Sequence, residues 1–161
     1  MVFLTLAAAL LVCGCGPKTQ IVPEDAVTFR SYRRIGVLAF GDPTGRGQKI
    51  ADAMDARFQK AFFDVVDQKA VAEVLAQYKP DRDQGLGVEA LEEIRRKTGI
   101  DALIIGRMVP DWSAAVVTMV EMTTSGVIMR AVVRPHGFRK KAFASPDEVS
   151  DEFMRAYLKL H

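Results

Sequence analysis

RIGVLAFGDPTGRGQKIADAM, Arg34 to Met54, is the stretch on which the fold turns. Its first seven residues, Arg34 to Phe40, are almost continuously apolar, as in a strand buried on both faces. Gly41 to Gly47 is a loop by composition. From Gln48 onward, Ile50, Met54, Phe58, Ala61 and Phe62 recur at helical spacing, with Asp52, Asp55, Gln59 and Lys60 between them. The pattern predicts a helix over Gln48–Phe62. A strand that passes through glycines into a helix is also where phosphates bind, because free N–H groups and the helix dipole face the anion there. The spacing argues against that use. A P-loop needs G-x-x-x-x-G-K-[ST], yet the sixth position from Gly41 is Arg46, and Ile50 after Lys49 offers no hydroxyl for a magnesium ion. A dinucleotide fingerprint fails at the same place, since Gly45 and Gly47 are followed by Ile50 where a third glycine belongs. The expected role of the loop is a sharp turn from strand to helix.

Downstream, Phe63–Val66 reads as a short strand and Gln68–Tyr78 as a helix with Val71, Val74, Leu75 and Tyr78 inward. Pro80–Gly87 is a polar loop. Val88–Thr98 is a helix with Ala90, Leu91 and Ile94 inside, i,i+4 pairs Glu92–Arg96 and Glu93–Lys97, and Gly99 as its left-handed stop. Ala102–Met108 is a second buried strand. Ala114–Met122 and Val127–Val133 form a hairpin around Thr123–Gly126, with Arg130 and Arg134 on its partly wet face beside Ile128 and Val132. The last helix opens at Ser145-Pro146-Asp147-Glu148, a capping box with proline at the first helical position, and carries Val149, Phe153, Tyr157 and Leu160 inward. The order is β-α-β-α-α-β-β-β-α, which predicts a single α/β domain with a mixed sheet, in two or three layers.

The bulk properties agree with one globular domain: 161 residues, 49% hydrophobic and 26% charged. Twenty-two basic and 20 acidic residues leave a net charge of +2, too balanced to point to nucleic acid.

The N-terminal stretch MVFLTLAAALLVCGCG has a different character. Its uncharged run Val2–Val12 is shorter than the roughly 20 residues that span a bilayer and suits a signal-peptide core. Val12-Cys13-Gly14-Cys15 resembles a bacterial lipobox, which implies cleavage between Gly14 and Cys15 and lipid on Cys15. Residues 1–14 are then a signal peptide, 15–33 a lipidated tether, and 34–161 the folded domain. No Lys or Arg precedes Lys18, so the true start is expected upstream of Met1. Gly16, not aspartate, follows the cysteine, which favours the outer membrane, facing the periplasm. No cysteine lies beyond residue 15, which leaves the mature domain without a disulfide or thiolate metal site.

Catalytic and metal-binding patterns are absent from the sequence. His136 sits in a turn and His161 ends the chain, without the three or four grouped ligands that a metal needs. No serine stands in G-x-S-x-G. Asp81 and Asp83 read as a solvated turn, and Asp64 and Asp67 as the ends of a short strand. Trp112 fits either a packed edge residue or an exposed binding anchor. With Arg130 and Arg134 it makes up the candidate interface residues. No catalytic residue and no cofactor is expected.

Several short motifs together resemble the curli-secretion-channel (CsgG-like) family, whose relatives include lipoprotein activators of penicillin-binding proteins. They are RIGVLAF, Phe63-Asp64-Val65-Val66-Asp67, Val74-Leu75, Thr98-Gly99-Ile100-Asp101-Ala102-Leu103-Ile104-Ile105-Gly106, and the turn Glu121–Gly126. The resemblance runs from Arg34 to Val133. It implies a periplasmic α/β domain on an envelope lipoprotein, without the long hairpins from which the family's pores build a shared barrel. The expected function is non-enzymatic: the domain binds another envelope protein and assists envelope assembly, secretion or cell-wall synthesis, either alone or as a homo-oligomer. A subunit of an oligomeric secretion pore is the alternative, and a nucleotide-binding protein or enzyme stands behind both.

Overall fold

The computed structural model describes residues 20–23, 32–78, 86–136 and 140–160. Within them the elements are β1 (Gln20–Pro23), β2 (Arg34–Val37), α1 (Gly47–Lys60), β3 (Asp64–Val65), α2 (Gln68–Leu75), α3 (Val88–Thr98), β4 (Ala102–Met108), β5 (Ala115–Glu121), β6 (Val127–Val133) and α4 (Pro146–Tyr157), which runs into a 3-10 turn, Leu158–Leu160. From β2 onward the order is the one that the sequence predicts. The six strands form one mixed sheet, β1-β6-β5-β4-β2-β3. β2 is parallel to β3 and β4, and the β4–β5, β5–β6 and β6–β1 pairs are antiparallel. Gln20–Pro23 departs from the expected tether. It pairs with β6 from Gln20↔Val132 to Pro23↔Met129, because the edge of β6 offers an unsatisfied ladder to any extended segment beside it. The signal and lipobox residues, Gly14 and Cys15 included, lie outside the described residues, as do Asp81, Asp83 and His161.

Helices cover both faces, so the domain has three layers. α1 and α4 lie side by side on one face. There Ile50, Met54, Phe58, Val149, Phe153 and Tyr157 bury against Ile35, Val37, Ile104, Val117, Met119 and Ala131. α2 and α3 lie on the other face, where Val71, Val74, Leu91 and Ile94 meet Ile100, Leu103 and Met122. Beyond this second layer the face of β5 and β6 is wetter, as expected: Arg130 is exposed and Val116, Thr118 and Val132 are half-buried, although Ile128 is buried.

Local signals hold with small corrections. Gly99 ends α3 at φ 68°. Ser145 Oγ accepts from the Glu148 N–H at 3.2 Å and Pro146 takes the first helical position. Glu148 does not return the bond to Ser145, however. Its carboxylate accepts from the Ala144 N–H at 2.9 Å and from Lys140 Nζ at 2.6 Å. On α3, Glu93 binds both Lys97 (3.2 Å) and Arg96 (2.6 Å), so Arg96 pairs three residues back and not with Glu92. Asp67 caps α2 through the Lys69 N–H at 2.9 Å.

Candidate interaction surface

The glycine loop is built around Phe40. The Phe40 N–H donates to the Gly47 carbonyl at 3.2 Å, and a Cβ on Gly47 would stand 1.8 Å from the Phe40 carbonyl oxygen. Helix α1 therefore starts against the backbone of the strand that precedes it, an approach open only to glycine. The Phe40 ring lies over Gly106 of β4, where a Cβ would come within 2.1 Å of a ring carbon. Asp42 organises the loop from inside. Its carboxylate accepts from the Arg46 N–H (2.7 Å), the Thr44 N–H (3.2 Å) and the Thr44 hydroxyl (2.5 Å). Burial pulls the Asp42 carboxyl upward, but these bonds and one from Trp112 outweigh it and hold it below the usual range. The Thr44 and Arg46 amides of the loop are thus committed to an internal carboxylate.

Trp112 completes this cluster and is not an exposed anchor. Only 4% of it is accessible, its Nε1 donates to Asp42 at 3.2 Å, and the Arg46 guanidinium stacks 3.3 Å above the ring centroid. Its own backbone is left-handed, φ 60°, and its carbonyl accepts from the Phe143 N–H at 2.9 Å. The packed-edge alternative holds because the ring closes the end of the core beneath the Gly41–Gly47 loop. Of the other candidate interface residues, Arg130 is exposed and Arg134 half-buried, each engaged in a further contact.

The exposed aromatic residue lies elsewhere. Phe62, expected on the inner face of α1, is 98% exposed. The helix stops two residues early, in a Schellman motif: the Phe63 N–H reaches back to the Phe58 carbonyl at 3.1 Å and the Phe62 N–H to Gln59 at 3.0 Å. Phe62 takes the left-handed position, φ 67°, which usually belongs to glycine. The reversal packs Phe63, half-buried, against the core, edge-on to the Phe58 ring at 5.3 Å and 6.2 Å from Tyr157. Leu158, just past Tyr157, is half-exposed at 51%. Phe62 and Leu158 thus flank the same aromatic contact at one end of the domain. The sequence signal for this is the doublet Phe62-Phe63, where helical periodicity can bury only one of two neighbours.

One polar cluster sits between α1 and α2. Gln68 donates to Asp55, and Gln48 donates to Gln68 and, at 2.8 Å, to Asp52. Asp55 Oδ1 is buried without a hydrogen bond. Burial pushes the Asp55 carboxyl up to about 6; the Gln68 bond opposes this, and Asp52 and Asp67 add to it. No group of His, Cys, Asp or Glu among the described residues is arranged to hold a metal ion. No described helix is long and apolar enough to cross a membrane.

The chain matches no protein-family model and no curated protein. Among solved structures it is similar to the PelC dodecamer from Paraburkholderia phytofirmans, with a TM-score of 0.50 at 10% identity over 84% of this chain and 94% of that one. The chain shares the PelC fold. Lipoprotein GNA1162 from Neisseria meningitidis aligns with a TM-score of 0.48 at 13% identity, over 80% of this chain and 95% of that one. LpoB from E. coli aligns at 0.46 and 14% identity, over 64% of this chain and 58% of that one.

Proposed function

We propose that this chain is a lipid-anchored outer-membrane lipoprotein whose periplasmic domain binds another envelope protein, without catalysing a reaction, and so assists envelope assembly, secretion or cell-wall synthesis. The observation that carries the binding role is Phe62. A fully exposed aromatic ring in a left-handed backbone costs the free domain both hydrophobic exposure and about 1 kcal/mol of local strain. Glycine would relieve both. An aromatic residue with such a cost and 98% of its surface exposed has the properties of an anchor that fills a partner's pocket. The anchoring role rests on Val12-Cys13-Gly14-Cys15.

Crosslinking and pull-down of the lipidated protein from its own envelope tests the binding role, with Phe62→Gly beside wild type. Capture of a distinct envelope protein by wild type, lost in Phe62→Gly, is the expected result. Equal capture by both would remove Phe62 as the anchor. Recovery of only further copies of this chain, with discrete conductance in planar bilayers, would replace the adaptor by the secretion pore. Anchoring is read separately: Cys15→Ser loses metabolic fatty-acid label, and an unchanged label would end the lipoprotein reading.

A further inference from the structure

β1 carries information about orientation, because only five residue steps separate Cys15 from Gln20. Even fully extended, they reach at most about 18 Å. Gln20 stands level with Val132, Val116 and Arg107 across four strands. That level is the end of the sheet where β4 and β6 finish. The other end, with Arg34, Asp64, Ala102 and Glu121, lies about 17 Å further along the strands, and Phe62 and Leu158 are there.

Around the entry of β1 the exposed charge is mainly positive. Arg107, Lys140 and Lys141 are exposed and Arg134, engaged in a contact of its own, is half-buried, against Asp111, Asp147 and Glu148; Asp147 is already paired with Arg57 at 3.0 Å and Glu148 with Lys140 at 2.6 Å. Given lipid on Cys15, which is the anchoring half of the reading above, the geometry points to this end of the sheet resting on an anionic phospholipid surface, with Arg107, Arg134, Lys140 and Lys141 toward the headgroups. Two features select that occupant over a protein: the short tether holds this end beside the bilayer, and basic residues near an anionic surface each add about 1 kcal/mol of attraction within a Debye length. The end with Phe62, where Arg34, Lys60, Asp64 and Lys159 are also exposed, then points away from the membrane, where a partner can reach it.

Trp112 is the chain's single tryptophan and lies at the basic end. Energy transfer from it to a dansyl-labelled lipid headgroup therefore reports orientation. The lipidated full chain is placed in vesicles of phosphatidylcholine alone or mixed with phosphatidylglycerol, and flotation confirms anchoring. Transfer should rise about twofold with phosphatidylglycerol and fall back at high salt. Arg107→Glu with Lys141→Glu should abolish the rise. Lys60→Glu with Lys159→Glu, at the opposite end, should leave it intact. Vesicle-bound protein with equal transfer in both lipids, or equal loss in both variant pairs, overturns the proposed orientation. Failure to float indicts the anchor instead.

Discussion

The ring of Phe40 occupies the volume that a side chain on Gly106 would need: a Cβ there would stand 2.1 Å from a Phe40 ring carbon. Two glycines far apart in the chain, Gly47 and Gly106, are thus explained by one aromatic residue. The contacts differ in kind, since Gly47 meets the Phe40 backbone and Gly106 its ring.

That difference yields a double-mutant prediction. Gly106→Ala should destabilise by about 1–3 kcal/mol through overpacking, and Phe40→Ala by about 3–5 kcal/mol. Combined, they should cost less than their sum, because removing the ring makes room for the new methyl group. Gly47→Ala should show no such rescue by Phe40→Ala, since the carbonyl oxygen remains. Chemical denaturation of the three single variants and the two double variants measures this.

Lys49 is exposed in the first turn of α1. With the Thr44 and Arg46 amides bound to Asp42, Lys49→Ala should change stability by less than about 0.5 kcal/mol, as exposed substitutions generally do. Isothermal titration of wild type with ATP or GTP should show no saturable heat. Micromolar binding lost in Lys49→Ala would restore the nucleotide loop.

Asp55 gives the domain a pH dependence of unusual sign. Its carboxyl is raised in the fold, from 3.8 to about 6, chiefly by burial. A raised carboxyl favours the fold while protonated, so its contribution is complete below about pH 4 and is lost as pH rises through about 6. Above that, the fold holds a charged oxygen without a hydrogen bond. Asp55→Asn should therefore gain about 1 kcal/mol over wild type at pH 7.5, after allowance for its partial exposure, and little or nothing at pH 4. Parallel urea titrations at the two pH values compare the variants, and an equal gain at both would remove the charge explanation.

At Phe62, stability and binding should move in opposite directions. Phe62→Gly should leave the domain as stable as wild type or more stable by up to about 1 kcal/mol, because glycine suits a left-handed stop. Phe63→Ala should instead cost about 2 kcal/mol, as that half-buried ring packs on Phe58 and Tyr157. Thermal unfolding of both variants separates the neighbours. A large loss in Phe62→Gly would mean that the ring supports the fold.

Residues 34–160 declare most of their own secondary structure. Helical spacing in Ile50, Met54 and Phe58, the Ser145-Pro146 start and the Gly99 stop are local signals, and local sterics with backbone hydrogen bonding suffice to realise them. The long apolar runs at Arg34 and Ala102 likewise marked strands buried between two layers, because water contact on either face would have left polar residues in the pattern. What remained was decided by groups distant in sequence. Gln20–Pro23 became a strand only because β6 offered its free edge, more than 100 residues later. Trp112 was placed by Asp42 and Arg46, so its burial depended on a contact that no window of sequence contains. Periodicity placed Phe62 on the inner face of the first helix, but the chain reverses between Phe62 and Phe63. The choice went to Phe63 because Phe58 and Tyr157, from two different helices, meet on its side. Periodicity specifies which face of an element is apolar; which residue at its end is left facing outward is set by the packing of the elements around it.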